Sequence, residues 1–328
     1  MPNPLVIVPG GLNTDVIGFG VPKIIGSGEL TLGGELKIGP GGKARNMAQM
    51  TAAYLGPDKV AMIGRSSKDP LGLWKYPVDS LRHAGVDITF VKITDFESGG
   101  NKYPGIALIP VDRNGKNQIY VLPGVNMDFS PADIREASIL FENRDHNKTL
   151  LMALEMPKET ALEAIHKATE NNIRVILDPG GISAPIDEFL NEKLFLLKPN
   201  EFEASIITGI TITDFASAGQ AAKCIQKRGV KNVLITHGAR GGYLFTEQGN
   251  HYIPVPSLSD SGIRDETGCG DQTTAILAAA LAEGSDLFSA ARLSILAGSL
   301  QFQRAGIDPV ERHILRENAS MLYDDLKF

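Results

Sequence analysis

The chain has 328 residues, 43% hydrophobic, 21% charged and 6% aromatic, with a formal net charge of −6. That length suits one large α/β domain or two small ones, and the composition is that of an ordinary soluble globular protein. The negative charge argues against a nucleic-acid backbone as partner and the scarcity of aromatics against base-stacking platforms, while no apolar run approaches the ~18–20 residues that span a bilayer.

Cys224 and Cys269 are the only cysteines and form no CxxC pair, so neither a disulfide framework nor a zinc site is expected and a reducing cytoplasm fits. Residues 1–9 lack a basic region followed by a long apolar core, so no leader is expected.

Along the chain, short apolar runs without polar alternation predict buried strands at residues 5–8, 60–63, 150–154, 175–177, 194–197 and 233–235. Helical patterns fall at 44–54, 71–84, 158–171, 216–228, 272–282 and 287–303. This alternation implies an α/β fold with a doubly wound, mostly parallel sheet. Two stretches break the rhythm. Residues 13–40 are glycine-rich with short alternating segments, and residues 99–123 alternate around Asn114-Gly115, a strong hairpin signal. They are expected to form a small antiparallel β lid over a core made of residues 1–12, 41–98 and 124–328.

Polar residues collect where the predicted strands end: Glu155, Asp178, Asn200 with Glu203, and Thr236-His237-Gly238. In an open α/β sheet, ligands bind beyond the carboxyl ends of the strands. Each has a local explanation as well. Asp178-Pro179-Gly180-Gly181 is a good turn, Asn200 suits a helix cap at Glu201, and His237 is assigned to packing. Their shared location points to one crevice.

Residues 265–271 read Asp-Glu-Thr-Gly-Cys-Gly-Asp directly before the helical pattern at 272–282. Gly268 and Gly270 let the backbone turn sharply and bare its N–H groups at a helix N-terminus that favours negative charge. Asp271 sets a carboxylate beside that anion-binding turn. As structure alone it reads equally well as an N-cap. As chemistry it is a base that takes a proton from a hydroxyl while the turn holds a phosphoryl group. No GxxxxGK[ST], GxGxxG, GxSxG or HExxH pattern occurs, which counts against P-loop, Rossmann, serine-hydrolase and zincin sites.

On these residues the chain resembles the ribokinase-like, or PfkB, family of carbohydrate kinases. Asp265 to Asp271 match its Asp-x-Thr-Gly-x-Gly-Asp signature. Gly41-Gly42-Lys43-Ala44-Arg45-Asn46, with Asp69-Pro70-Leu71-Gly72 downstream, match the N-terminal one. Asn200-Glu201-Phe202-Glu203 match an Asn-x-x-Glu element, and Thr236 to Gly241 resemble the nucleotide loop. The resemblance implies a ribokinase-like fold and an ATP-dependent sugar kinase. In it Asp271 is the base and the amides of Gly268, Cys269 and Gly270 are the anion hole. Asn13, Asp15, Gly42, Lys43, Asn46 and Glu155 bind sugar. Asn200 and Glu203 organise Mg²⁺ through water, and Thr236, Gly238 and Gly241 contact the nucleotide. Asp265 and Thr267, with carbonyls of residues 304–306, match a monovalent-cation (K⁺) site of some members.

Three departures carry expectations. Ala44 replaces a common glycine, so a less open loop is expected. Cys269 replaces a usual alanine, and its thiol is expected to be acidified by the helix N-terminus. Arg45 reads either as reaching a phosphate on a sugar-phosphate substrate or as an exposed residue on a helix face. Alternative readings are a sugar-phosphate kinase, a nucleoside kinase (for which the lid offers Tyr103 and Tyr120) or a catalytically silent sugar-binding regulator. A homodimer through the lid's edge strands is also expected.

Overall fold

The computed structural model describes residues 3–142 and 147–323; residues 1–2, 143–146 and 324–328, part of the expected core, lie outside the described residues. The strands are β1 (Val6–Pro9), β2 (Asn13–Val21), β3 (Glu35–Gly41), β4 (Val60–Lys68), β5 (Asp87–Asp95), β6 (Gly105–Asp112), β7 (Tyr120–Leu122), β8 (Thr149–Ala153), β9 (Arg174–Asp178), β10 (Leu196–Leu197), β11 (Asn232–Thr236), β12 (Gly242–Phe245) and β13 (Asn250–Ile253). The helices are α1 (Lys43–Leu55), α2 (Lys75–His83), α3 (Pro131–Glu136), α4 (Lys158–Glu170), α5 (Asp187–Leu190), α6 (Glu201–Thr208), α7 (Phe215–Gln226), α8 (Cys269–Ala282), α9 (Leu287–Gln301) and α10 (Arg312–Leu322).

Nine strands form the main sheet in the order β13-β12-β11-β10-β9-β8-β1-β4-β5. It is parallel except for the antiparallel β11–β12–β13 edge. Its central strands are covered on both faces, which is why they read as unbroken apolar runs. In β1, Val6 and Val8 join the core on the side of α1, α8 and α9, while Ile7 joins the core on the side of α4 and α7. β8 divides likewise, Leu151 and Ala153 to the first and Leu150 and Met152 to the second. Strand order reverses around β1, which pairs with β4 on one side and β8 on the other. That switch point is where ligands are expected to bind.

β2, β3, β6 and β7 make a second, smaller sheet in the order β3-β2-β6-β7. The outer pairs, β2–β3 and β6–β7, are antiparallel, and the central β2–β6 pair runs parallel. The polypeptide turns from Pro9 into β2 through Gly10 and Gly11, so Asn13 and Asp15 stand beside the end of β1. Thr14 Oγ1 donates to the Leu73 carbonyl (2.7 Å) and ties the root of this sheet to the core. Asp69 holds the Leu71–Trp74 turn through three backbone amides.

α8 starts at Cys269 rather than at 272. All but its first two residues are buried, among them Ala275 and Ala278–Ala280, which lets α1 and α9 pack closely on it. Among the described residues, no helix is long and apolar enough to cross a membrane.

Candidate active site

The Gly268 N-cap of α8 takes the left-handed conformation (φ 74°), and α8 carries no side-chain cap. Asp271 therefore lies inside the first turn and is not the cap. Its carboxylate faces α1: Oδ2 accepts from Asn46 Nδ2 at 2.7 Å and Oδ1 from Lys43 Nζ at 3.5 Å. The Asp271 side chain is 7% exposed and that of Lys43 32%, so the pair sits at the floor of an opening.

Of the three amides expected to form the anion hole, Cys269 N–H is taken by the Glu266 carbonyl (3.2 Å). The Gly268 and Gly270 amides have no hydrogen-bond partner among the described residues. Of the three amides matched to an anion hole, that of Cys269 thus also serves the chain's own turn, and those of Gly268 and Gly270 stay open. The glycines differ in cause. A Cβ at Gly268 would come within 2.7 Å of Ile307 Cδ1 and 3.1 Å of Met50 Cε, at a positive φ, so the fold demands glycine there. At Gly270 a Cβ would meet only Lys198 Nζ, at an ordinary 3.6 Å. The fold leaves room beside Gly270, on the side of the buried ammonium.

Lys198, one residue past β10, carries little sequence signal. Its Nζ pairs with Asp178 Oδ2 (2.8 Å) and approaches the Gly270 carbonyl (3.5 Å). Thr274 Oγ1 completes the cluster on Asp178 (2.6 Å). Burial pushes the Asp178 carboxyl up, but Lys198, Lys43 and these hydrogen bonds outweigh it and hold it below its ordinary value.

The residues matched to a sugar site converge. Gly42 caps α1 at φ 92°, and a Cβ there would press on the Gly11 carbonyl at 3.0 Å. Glu155 Oε2 accepts the Lys43 amide (3.0 Å), placing a carboxylate at the positive end of α1. Burial raises the Glu155 carboxyl, Lys43 pulls it down, and Asp271 and Asp15 push it up. Asn13 accepts from Asn126 Nδ2 (2.8 Å), and Asn126 also bridges the Leu12 backbone. No sequence pattern marks Asn126. Burial pushes Asp15 up to about 6, with Arg45 opposing and Asp271 reinforcing. The Lys43 ammonium is stabilised above all by Asp271, against burial. Ala44 is accommodated because Gly10 faces it: a Cβ on Gly10 would lie 2.4 Å from the Ala44 Cβ.

The nucleotide-matched residues lie further along the same sheet edge. Asn200 and Glu203 form a reciprocal capping box on α6 (2.8 and 2.9 Å). Glu203 Oε1 also accepts the Gly181 amide (3.0 Å), fixing the loop after β9. Thr236 bridges to Asn200. Gly238 (φ 46°) has open space around it, whereas a Cβ on Gly241 would strike the Ile253 carbonyl at 2.1 Å. Gly241 is therefore required by the chain itself.

Asp265 accepts the amides of Gly306 (2.8 Å) and Thr267 (2.9 Å), stapling the loop after α9 to the α8 turn. Two expectations fail. The Cys269 thiol is pushed up to about 12, by burial first and then by Asp265, Glu266 and Asp271; burial and these carboxylates together outweigh the helix N-terminus. Arg45 is neither exposed nor turned toward a substrate phosphate. It is fully buried, and its donors go to the Gly41 and Pro40 carbonyls, Gln49, Ser80 and Asn46.

Comparison with known proteins shows the family to which this chain belongs. Residues 3–312 match the family described as pfkB family carbohydrate kinase. The chain is 30% identical over 308 residues to a ribokinase of Arabidopsis thaliana, covering 93% of this chain and 78% of that protein. It is 30% identical over 299 residues to a ribokinase of Haemophilus influenzae, covering 91% and 92%. A solved structure of Arabidopsis thaliana ribokinase complexed with ribose and ATP superposes with a TM-score of 0.82 at 27% identity, over 97% of this chain and 98% of that one.

Proposed function

The chain belongs to the pfkB family of carbohydrate kinases, phosphotransferases with an alcohol acceptor, and we propose that it phosphorylates an unphosphorylated sugar, a ribose-like pentose first, with ATP as donor. One observation carries the reading: the Asp271 carboxylate, held by Asn46 and Lys43, lies within one helical turn of the open Gly268 and Gly270 amides. A sugar hydroxyl seated against Asp271 loses its proton to that carboxylate as its oxygen attacks the terminal phosphorus. The phosphorus–oxygen bond to ADP breaks in line. The two open amides and the Lys198 ammonium lie where charge spreads over the moving phosphoryl group.

Asn13, Asp15, Asn46 and Glu155 offer both donors and acceptors, which suits hydroxyl groups that do both. Thr236, Gly238 and Gly241 line the nucleotide side. Among the described residues no cluster of three or more His, Cys, Asp or Glu could hold a metal on its own. Mg²⁺ accordingly would come with ATP, its shell mostly phosphate oxygen and water, with Asn200 and Glu203 ordering that water; it supplies charge neutralisation. K⁺ would sit among the carbonyls of residues 304–306 beside Asp265 and Thr267.

The buried guanidinium of Arg45 weighs against a sugar-phosphate substrate, because its donors point into the protein. The nucleoside reading ranks lower: of the two lid aromatics it calls on, Tyr103 packs edge-on against Phe96 (5.0 Å), which leaves the exposed Tyr120. The smaller sheet serves as a lid that excludes water from the transfer. Its edges, β3 and β7, expose Leu36, Tyr120, Val121 and Leu122, which favours a lid-to-lid homodimer; sedimentation as a monomer at micromolar concentration excludes it.

ADP release measured across pentoses, hexoses, sugar phosphates and nucleosides tests the assignment. Turnover of D-ribose or another free sugar well above the phosphorylated sugars and nucleosides supports it. Preference for a sugar phosphate or a nucleoside, or no ADP release with any of them, overturns it.

A further inference from the structure

Arg45 is among the largest fully buried side chains of the described residues, and it lies in direct contact with the residue that holds the base. Its Nη2 donates to Asn46 Oδ1 and to the Pro40 carbonyl (2.8 Å), and Nε donates to the Gly41 carbonyl (3.3 Å). Pro40 and Gly41 end β3, so the guanidinium bridges the root of the smaller sheet and the first turn of α1. Burial pulls it down only to about 10, with Asp15 and Asp271 opposing, so it stays charged at neutral pH.

Asn46 has two faces, a carbonyl oxygen that accepts and an amino group that donates. A guanidinium only donates, so it admits only the carbonyl oxygen on its side. The amino group is then forced toward Asp271, whose ionised carboxylate only accepts. With the amide reversed, its oxygen would face the carboxylate and its amino group the guanidinium, unfavourable on both sides.

We propose that Arg45 is a positioning residue for phosphoryl transfer: it locks the Asn46 amide in the one orientation that holds the Asp271 carboxylate toward the acceptor hydroxyl. The inference rests on the reading of Asp271 as the base. It gives the buried arginine a role separate from substrate recognition, in a site where another cation, Lys43, contacts the carboxylate directly.

The test is a double-mutant cycle in kcat at saturating D-ribose and ATP, with wild type, Arg45→Met, Asn46→Ala and the double variant. Positioning predicts that Arg45→Met lowers kcat about tenfold with the KM for ATP unchanged, and that the double variant matches Asn46→Ala. If Arg45→Met does not fold, as judged by circular dichroism, Arg45→Lys replaces it. Lysine keeps the charge but cannot span both carbonyls and the amide, and a several-fold kcat loss seen only with Asn46 present is expected. An equal loss with and without Asn46, or wild-type kcat in the folded variant, overturns the proposal. Asp271→Asn assayed in parallel separates the two levels. Full turnover in it removes the base reading, whereas an inactive Asp271→Asn beside an uncoupled Arg45 leaves that reading intact and makes Arg45 a structural brace.

Discussion

Asn46 Nδ2 lies 2.7 Å from Asp271 Oδ2, a contact between the first turn of one helix and the first turn of another, 225 residues apart. Both helices present their N-terminal ends to the same opening. The positive ends of α1 and α8 thus converge on one carboxylate and the space beside it, which suits a base that works next to incoming phosphate.

The two glycines of the α8 turn are expected to separate on substitution. Gly268→Ala imposes a side chain at positive φ and a 2.7 Å approach to Ile307, so it should destabilise the fold by about 1–3 kcal/mol. Gly270→Ala meets nothing closer than 3.6 Å and adds a better helix former, so its melting temperature should stay near wild type. Its methyl group fills the space assigned to the phosphoryl group, and kcat should fall at least tenfold. Thermal melts and steady-state kinetics of both variants check this; an active Gly270→Ala enzyme would contradict the assigned space.

Asp15 predicts a pH signature. Its folded-state value of about 6 lies above the ordinary 3.8. A group raised in this way contributes stability that is fully present below about pH 4 and is lost as the pH rises through about 6. Asp15→Asn removes the ionisation. Its melting temperature should exceed wild type at about pH 8, and the advantage should vanish below about pH 4. Ribose affinity should weaken, a loss of binding in exchange for stability. A melting-temperature difference independent of pH would rule out this account of Asp15.

The Cys269 thiol, pushed up to about 12, is a poor nucleophile at neutral pH. Iodoacetamide at about pH 8 should leave activity unchanged over a period that fully alkylates an unperturbed thiol. Cys269→Ala should retain kcat within twofold, since alanine keeps the backbone of the turn and loses only the thiol's contact with the Asp265 carbonyl (3.6 Å). Rapid inactivation that ATP prevents would show the thiolate to be accessible after all.

The parts of the fold that could be read from the sequence are those with an unambiguous physical period. β1, β8, β9 and β11 are covered on both faces, so burial alone makes them apolar runs. The edge strands resist this reading. β5 is mostly half-exposed, its polar and apolar residues mix, and no burial pattern marks it. α6 has only eight residues, too short for periodicity to stand out, and only its Asn200 cap marks it.

At the site, the Asp265–Asp271 turn was legible because two glycines and an acid before a helix have few other uses. Lys198 was not: a lysine after a two-residue strand carries no pattern, and only the β9–β10 register, with Leu197 opposite Leu177, brings it to Asp178. The burial of Arg45 escapes the pattern for a similar reason. Helical position is consistent with exposure, and the contact that buries it comes from the corner where β3 runs into α1.

The most direct test of the account is the turnover of Asp271→Asn at saturating ribose and ATP, with both affinities measured by calorimetry. The account predicts that kcat falls ~10²-fold or more, as on losing a general base, while both ligands bind within a few-fold of wild type. Near-wild-type turnover in a folded Asp271→Asn enzyme would contradict it.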